Sequence, residues 1–254
     1  MAKHAVVLLP SQVRHLLRVT EATSRHPERD ALILLLGISC GVRITEIARL
    51  EVADVLMPSG MIRSEVSLRS AITKGSRQRC IYLTHSETLA ALERYLAYRV
   101  ERRLGMVLNG KAYRRPVPAN RLILTHKGTR FELSLKRRIN ESGETVEYWA
   151  ADSLQNYVTK LYRDAGLRRG YSSHSGRRTF ANRLISQSES LETLQTLLGH
   201  SELDHVIPYV DESALRARAA LEAYSDGFFD AIATPARTAR KASCGNDIEM
   251  VERL

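Results

Sequence analysis

Along much of the chain apolar residues recur three and four positions apart, with charged or hydroxylated residues between them, the pattern of helices that bury one face. After Pro10-Ser11, the residues Val13, Leu16, Leu17 and Val19 share such a face. Pro27 opens a second helix that runs through Ile33 and Leu36 and is stopped by Gly41. Gly41-Val42-Arg43 then leads into a short helix, so Arg43 is expected at a helix junction with its guanidinium directed into a cleft. Between 62 and 83 the period changes: Ile62, Val66, Leu68 and Ile72, then Ile81 and Leu83, alternate with polar residues around Lys74-Gly75-Ser76. This predicts a small antiparallel sheet with Lys74 on or beside a hairpin turn. Thr84-His85-Ser86-Glu87 has capping-box spacing for a helix carrying Leu89, Leu92, Leu96 and Val100. Later helices are expected at roughly 153–165, 177–187, 190–198 and 212–225. The predicted fold is mainly α with a small antiparallel β-sheet, an α+β arrangement.

Breakers divide these elements without forcing a domain boundary. Residues 109–120, with Gly110, Pro116 and Pro118, read as a loop, and Ser142-Gly143-Glu144 marks another. From Thr234 onward Pro235, Ser243 and Gly245 mix with charges and lose periodicity. One domain over 1–230 and a flexible tail over 231–254 are therefore expected. No internal repeat is present.

Composition narrows the partners. The 254 residues, 44% of them hydrophobic, suffice for a sizeable core, and 38 Lys+Arg against 28 Asp+Glu give a formal charge of +10. Between Arg99 and Arg138 there are twelve Lys/Arg and two Glu, a concentration suited to phosphate contacts. Cys40, Cys80 and Cys244 have no CxxC spacing and are odd in number, which argues against a disulfide framework and for a reducing cytoplasm. The most apolar stretch, Ala31 to Ile38, is far shorter than the roughly 20 residues of a membrane span. No signal-peptide pattern opens the chain.

Candidate chemistry lies in four places: Gly41-Val42-Arg43-Ile44-Thr45-Glu46, Lys74, His174-Ser175-Gly176-Arg177, and Leu198-Gly199-His200 with Tyr209 nine residues after the histidine. Opening a phosphodiester without a metal requires a nucleophile, cations on the non-bridging oxygens and a proton donor for the leaving oxygen. Arg43, Lys74, His174, Arg177, His200 and Tyr209 supply these chemistries. His174, His200 and His205 lack HExxH or paired-cysteine spacing, so neither a metal nor any other cofactor is expected.

An Arg in a turn before a helix, a Lys on a hairpin, His-x-x-Arg opening a helix, Leu-Gly-His ending one and a Tyr nine residues on resemble the tyrosine recombinase (phage integrase) family, from about Leu8 to Asp211. The resemblance implies that family's catalytic-domain fold and assigns roles. Arg43 and Arg177 would clamp the scissile phosphate through their planar forks, and Lys74 would protonate the 5'-oxygen. His174 would hydrogen-bond the phosphate and assist proton transfer, His200 would hold a non-bridging oxygen, and Tyr209 would be the nucleophile. Glu46 matches an acidic position of the family that orients a histidine or Arg43, though a helix N-terminus also simply favours glutamate. Arg77 and Arg79 are expected to position phosphate, and Arg137, Arg138 and Arg178 to contact DNA.

The sequence departs from the family at three points. The first helix of the likeness starts near residue 10, so the N-terminal clamp domain common in the family is not seen. Ser175-Gly176 stands where a Leu usually precedes the second arginine, and Pro208 directly precedes Tyr209. Beyond it Ala214, Leu215, Arg218, Leu221, Tyr224 and Phe228 form a helical stripe, which in the family docks on a neighbouring protomer. The expected function is site-specific recombination of a mobile element or plasmid through a 3'-phosphotyrosine intermediate. Its partners would be double-stranded DNA, further copies of the chain up to a tetramer, and an accessory DNA-binding protein in place of the clamp. The alternatives are an accessory DNA-binding protein with a vestigial site and DNA relaxation resembling that of type IB topoisomerases.

Overall fold

The most apolar stretch of the chain becomes its central helix. In the computed structural model α2 (Pro27–Cys40) buries Ala31 through Leu36 in succession, as a helix apolar on all sides must. Around it pack α1 (Pro10–Thr23), α5 (Ser86–Glu101) and α7 (Ser175–Ser186). The structure describes residues 5–73, 78–106, 116–139, 143–167, 169–187 and 190–199, all within a unit spanning Met1–Ser213. Lys74, Arg77, His200, Tyr209, the helix expected at 212–225 and the boundary placed at 230 lie outside the described residues.

Both prolines act as helix starters, each in the first turn of its helix. At the far end of α2, Gly41 takes φ +62° and the Val42 N–H reaches back to the Leu36 carbonyl at 3.1 Å, closing the helix through a left-handed cap. A Cβ at Gly41 would lie 2.5 Å from Cδ1 of Phe180 on α7, so this turn excludes a side chain twice over. The chain then enters α3 (Ile44–Arg49) and α4 (Val52–Val55).

The expected hairpin forms from β1 (Glu65–Leu68) and β2 (Arg79–Tyr82), antiparallel, with Val66 opposite Ile81 and Leu68 opposite Arg79. A short 3-10 turn, Ser70–Ile72, leads out of β1 toward Lys74. The capping box expected at Thr84 does not form: α5 starts at Ser86 after His85 and has no side-chain cap. The Leu83 N–H still pairs with the Ser64 carbonyl at 2.8 Å, so the chain leaves the sheet too late for Thr84 to cap.

A second antiparallel pair, β3 (Ser134–Ile139) and β4 (Thr145–Ala150), was not foreseen. Its first strand carries Lys136-Arg137-Arg138 and is exposed nearly throughout, so it lacks the inside-outside alternation by which strands are read. The remaining described helices are α6 (Asp152–Asp164) and α8 (Leu191–Leu198), close to the expected ranges. No helix among the described residues is long and apolar enough to cross a membrane.

The basic run beginning at Arg99 proves to be divided. Arg99 is fully buried, and its guanidinium donates to the carbonyls of Leu104, Arg121 and Leu122 at 3.0–3.2 Å. Arg121 bonds the Arg49 carbonyl and pairs with Glu51, and Lys136 pairs with Asp152. Part of this charge therefore holds the fold. Arg99→Leu should lower stability by about 2 kcal/mol, because buried carbonyls lose their donors, and urea unfolding checks it.

Candidate functional site

The short helix α3 is organised by one carboxylate. Glu46, in its first turn, reaches back to accept the Arg43 N–H at 2.8 Å and pairs with the Arg43 guanidinium at 2.9 Å. The oxygen that accepts the Arg43 N–H, Oε2, also takes Nη2 of Arg79 at 2.6 Å, while Oε1 pairs with the Arg43 guanidinium. Glu46 is only 1% exposed. Burial pushes its carboxyl upward, but Arg79, Arg43 and Arg177 together outweigh burial and hold it below its ordinary value. It is therefore a fixed anion among guanidiniums.

The same three arginines hold the end of α8. Arg79 donates to the Leu197 carbonyl at 2.7 Å, Arg177 to the Leu198 carbonyl at 2.5 Å, and Arg43 to the Gly199 carbonyl at 3.4 Å. These are the carbonyls a helix leaves unpaired at its C-terminus, where its dipole is negative. Gly199 closes the helix at φ +60°, and Ser190 caps the other end by accepting the Thr193 N–H. His200 follows immediately, so the arginines fix the backbone from which it departs.

Arg177 also ties this cluster to the end of α2 by donating to the Gly41 carbonyl at 2.5 Å. Its position depends on how closely α7 crosses α2. A Cβ on Gly176 would meet the Gly37 backbone carbon at 3.2 Å and its Cα at 3.4 Å. The glycine that departs from the family pattern thus lets the two helices come nearly into backbone contact. Further along α7, Phe180, Ala181, Leu184 and Ile185 pack on Leu194 and Leu198 of α8.

Of the residues singled out in the sequence, the structure gathers Arg43, Glu46, Arg79 and Arg177 into one cluster. Arg43 keeps 21% side-chain exposure and is the arginine that reaches solvent, whereas Arg177 is 5% exposed. His174 is exposed and stands directly before α7. Arg79 and Arg178 were expected to face phosphate or DNA, yet both are buried. For Arg79 the reason is strand geometry: it shares the inward face of β2 with Ile81, and its charge meets Glu46. Arg137 and Arg138 are exposed on β3, Arg137 paired with Glu147 at 2.8 Å. Lys74, Arg77, His200 and Tyr209 are not among the described residues.

What the sequence reading missed is that Arg79 is a third internal arginine and that the α8 carbonyls are its targets. The signal was available, since Arg79, Ile81 and Leu83 share one parity.

A buried carboxylate with three guanidiniums beside a chain segment ending in Leu-Gly-His can be compared with known proteins. The family model described as the phage integrase family matches residues 7–216. The tyrosine recombinase XerC of Shewanella amazonensis is 29% identical over 199 residues, covering 76% of this chain and 52% of the relative. The tyrosine recombinase XerD of Pseudomonas putida is 26% identical over 197 residues, covering 77% and 54%. The chain thus spans about half the length of these curated relatives. Among solved structures, XerA recombinase has a TM-score of 0.60 at 18% identity, over 87% of this chain and 65% of that one. The XerH site-specific recombinase bound to palindromic difH substrate, a post-cleavage complex, has 0.58 at 20%, over 88% and 54%. These two share the fold. With the family model covering the arginine cluster and running on through His200 and Tyr209, the chain belongs to the phage integrase family.

Proposed function

We propose that this protein is a site-specific recombinase that cuts and rejoins DNA strands through a covalent 3'-phosphotyrosine, acting in integration, excision or resolution of a mobile element or plasmid. The observation that carries the reading is the convergence of Arg43, Arg79 and Arg177 on Glu46 and on the carbonyls that end α8. It draws three separated sequence motifs into one cationic centre. Membership of the phage integrase family supports the reading, as does the DNA substrate in the related XerH complex.

In this mechanism Arg43, whose side chain keeps 21% exposure, and Arg177 behind it neutralise the non-bridging oxygens, joined by His200. The Tyr209 hydroxyl attacks phosphorus; the phosphotyrosyl bond forms as the bond to the 5'-oxygen breaks. The phenolic proton passes to His174, and Lys74 protonates the leaving 5'-oxygen. The reverse attack by a 5'-hydroxyl reseals the strand. A phenol with an ordinary value near ~10 needs such a cationic setting to act at neutral pH. Full exchange would take four protomers on two DNA sites, with an accessory DNA-binding protein as a further partner.

The test is a nicked suicide duplex drawn from DNA flanking the gene, incubated with wild type or Tyr209→Phe and run on denaturing gels. A covalent band from the wild type alone, insensitive to EDTA, is expected. Bound DNA in a native gel without that band would leave an accessory binding protein. A band accompanied by plasmid relaxation but no strand exchange would make the protein a relaxing enzyme.

A further inference from the structure

At the end of α2 opposite Gly41 lies a cavity of about 830 Å³, bounded by the end of α1, the start of α2, residues 125–132 and α6. The two ends of α2 are about 20 Å apart at 1.5 Å per residue, so this cavity is separate from the Glu46 centre. Its wall is rigid. Arg29, 4% exposed, donates to Asp30 at 2.9 Å and to the Tyr157 hydroxyl at 2.7 Å, and its guanidinium lies 4.9 Å from the Tyr157 ring centre. Asp30, wholly buried, also accepts from the Ser24 and Tyr157 hydroxyls. With Arg29 matched by Asp30, this network shapes the wall without adding free charge.

The free charge is at the rim. Arg25 and Lys127 line the cavity, are exposed and have no carboxylate partner among the described residues. The imidazoles of His26 and His126 stack there with centres 6.3 Å apart and planes 23° from parallel. The His26 ring is anchored on its other side, with Nδ1 3.4 Å from the Tyr98 hydroxyl. Two cations with no carboxylate partner among the described residues and the flat faces of two imidazoles, in a cavity of ligand-binding size, form a recess for a phosphorylated, aromatic-bearing group.

We propose that this cavity is a second phosphate site, taking a nucleotide phosphate between Arg25 and Lys127 with the rest of the nucleotide against the His26–His126 pair. The phosphate belongs either to a free nucleotide or to a DNA strand running past the catalytic centre. Neither case requires strand cleavage, so the inference stands or falls independently of the covalent chemistry.

The experiment compares wild type with the Arg25→Glu/Lys127→Glu double variant, both positions being exposed, after circular dichroism confirms equal folding. The probes are trinitrophenyl-ATP, followed by fluorescence, and a 30-base-pair duplex of random sequence titrated at several salt concentrations. Nucleotide binding that weakens tenfold or more in the double variant, but persists in Arg43→Gln, identifies a free-nucleotide site. Equal nucleotide signals together with a salt slope for the duplex smaller by about 1.8, the value for two lost phosphate contacts, identify the DNA strand as the source. Unchanged nucleotide and duplex binding, or nucleotide binding lost only in Arg43→Gln, overturns the proposal.

Discussion

Glu46→Gln is expected to lower the stability of this protein by about 3–5 kcal/mol at neutral pH, the range for removing one member of a buried charged cluster. The substitution keeps the shape of the side chain but leaves Arg43, Arg79 and Arg177 facing one another around a neutral amide, in a place that water does not reach. The effect has a pH signature. Because the arginines hold the folded carboxyl below its unfolded value near 4.5, the stability it contributes is fully present above that value and is lost as pH falls through the lower folded one. The gap between wild type and variant should therefore be full at pH 7 and close below about pH 4.5. Urea unfolding at pH 7 and pH 3.5 measures it. A gap under 1 kcal/mol at pH 7, or one unchanged at pH 3.5, would mean that the three cations are balanced elsewhere. Cleavage by the folded fraction of the variant should fall as well, since the end of α8 loses the anion that organises its arginines.

Gly176→Leu should produce the other large effect, about 3 kcal/mol, at the upper end of what overpacking a tight contact costs. The nearest neighbours of the new side chain would be the backbone of Gly37, which has no flexible end to move aside. To admit leucine, α7 must shift away from α2, and Arg177, one residue on, would be drawn off the Gly41 and Leu198 carbonyls. Denaturant midpoint and adduct yield on the suicide duplex should fall together. A stable, fully active Gly176→Leu protein would show that the close crossing of α2 and α7 is not required.

Much of the fold was readable because its signals are local. Pro10, Pro27 and Gly41 punctuate helices through constraints on single residues, and the apolar periodicities of α1, α5 and α6 survive in the structure. The β3–β4 pair was not readable, since its first strand is exposed on both faces and has no alternation to detect. The site divides in the same way. Arg43 and Glu46 lie three residues apart, and their ion pair follows from one turn of helix. Arg79 was misjudged because a positive charge beside a lysine-bearing turn suggests an outward-facing phosphate contact. Its place on the inward face of β2 was legible, but the carboxylate waiting there was 33 residues away.

The sequence by itself determined most of the described helices and the first hairpin, the net positive charge, and the order of residues by which the family likeness was recognised, because propensity, turn chemistry and motif spacing act over a few residues. Only the tertiary structure decided which of the arginines are cations for a ligand and which are internal struts. That choice depends on what each guanidinium meets. Arg99 meets backbone carbonyls, Arg29 a buried aspartate, and Arg79 the buried Glu46 and a carbonyl that ends α8. A buried charge is tolerated only where such partners exist, and their positions are set by packing between segments far apart in the chain.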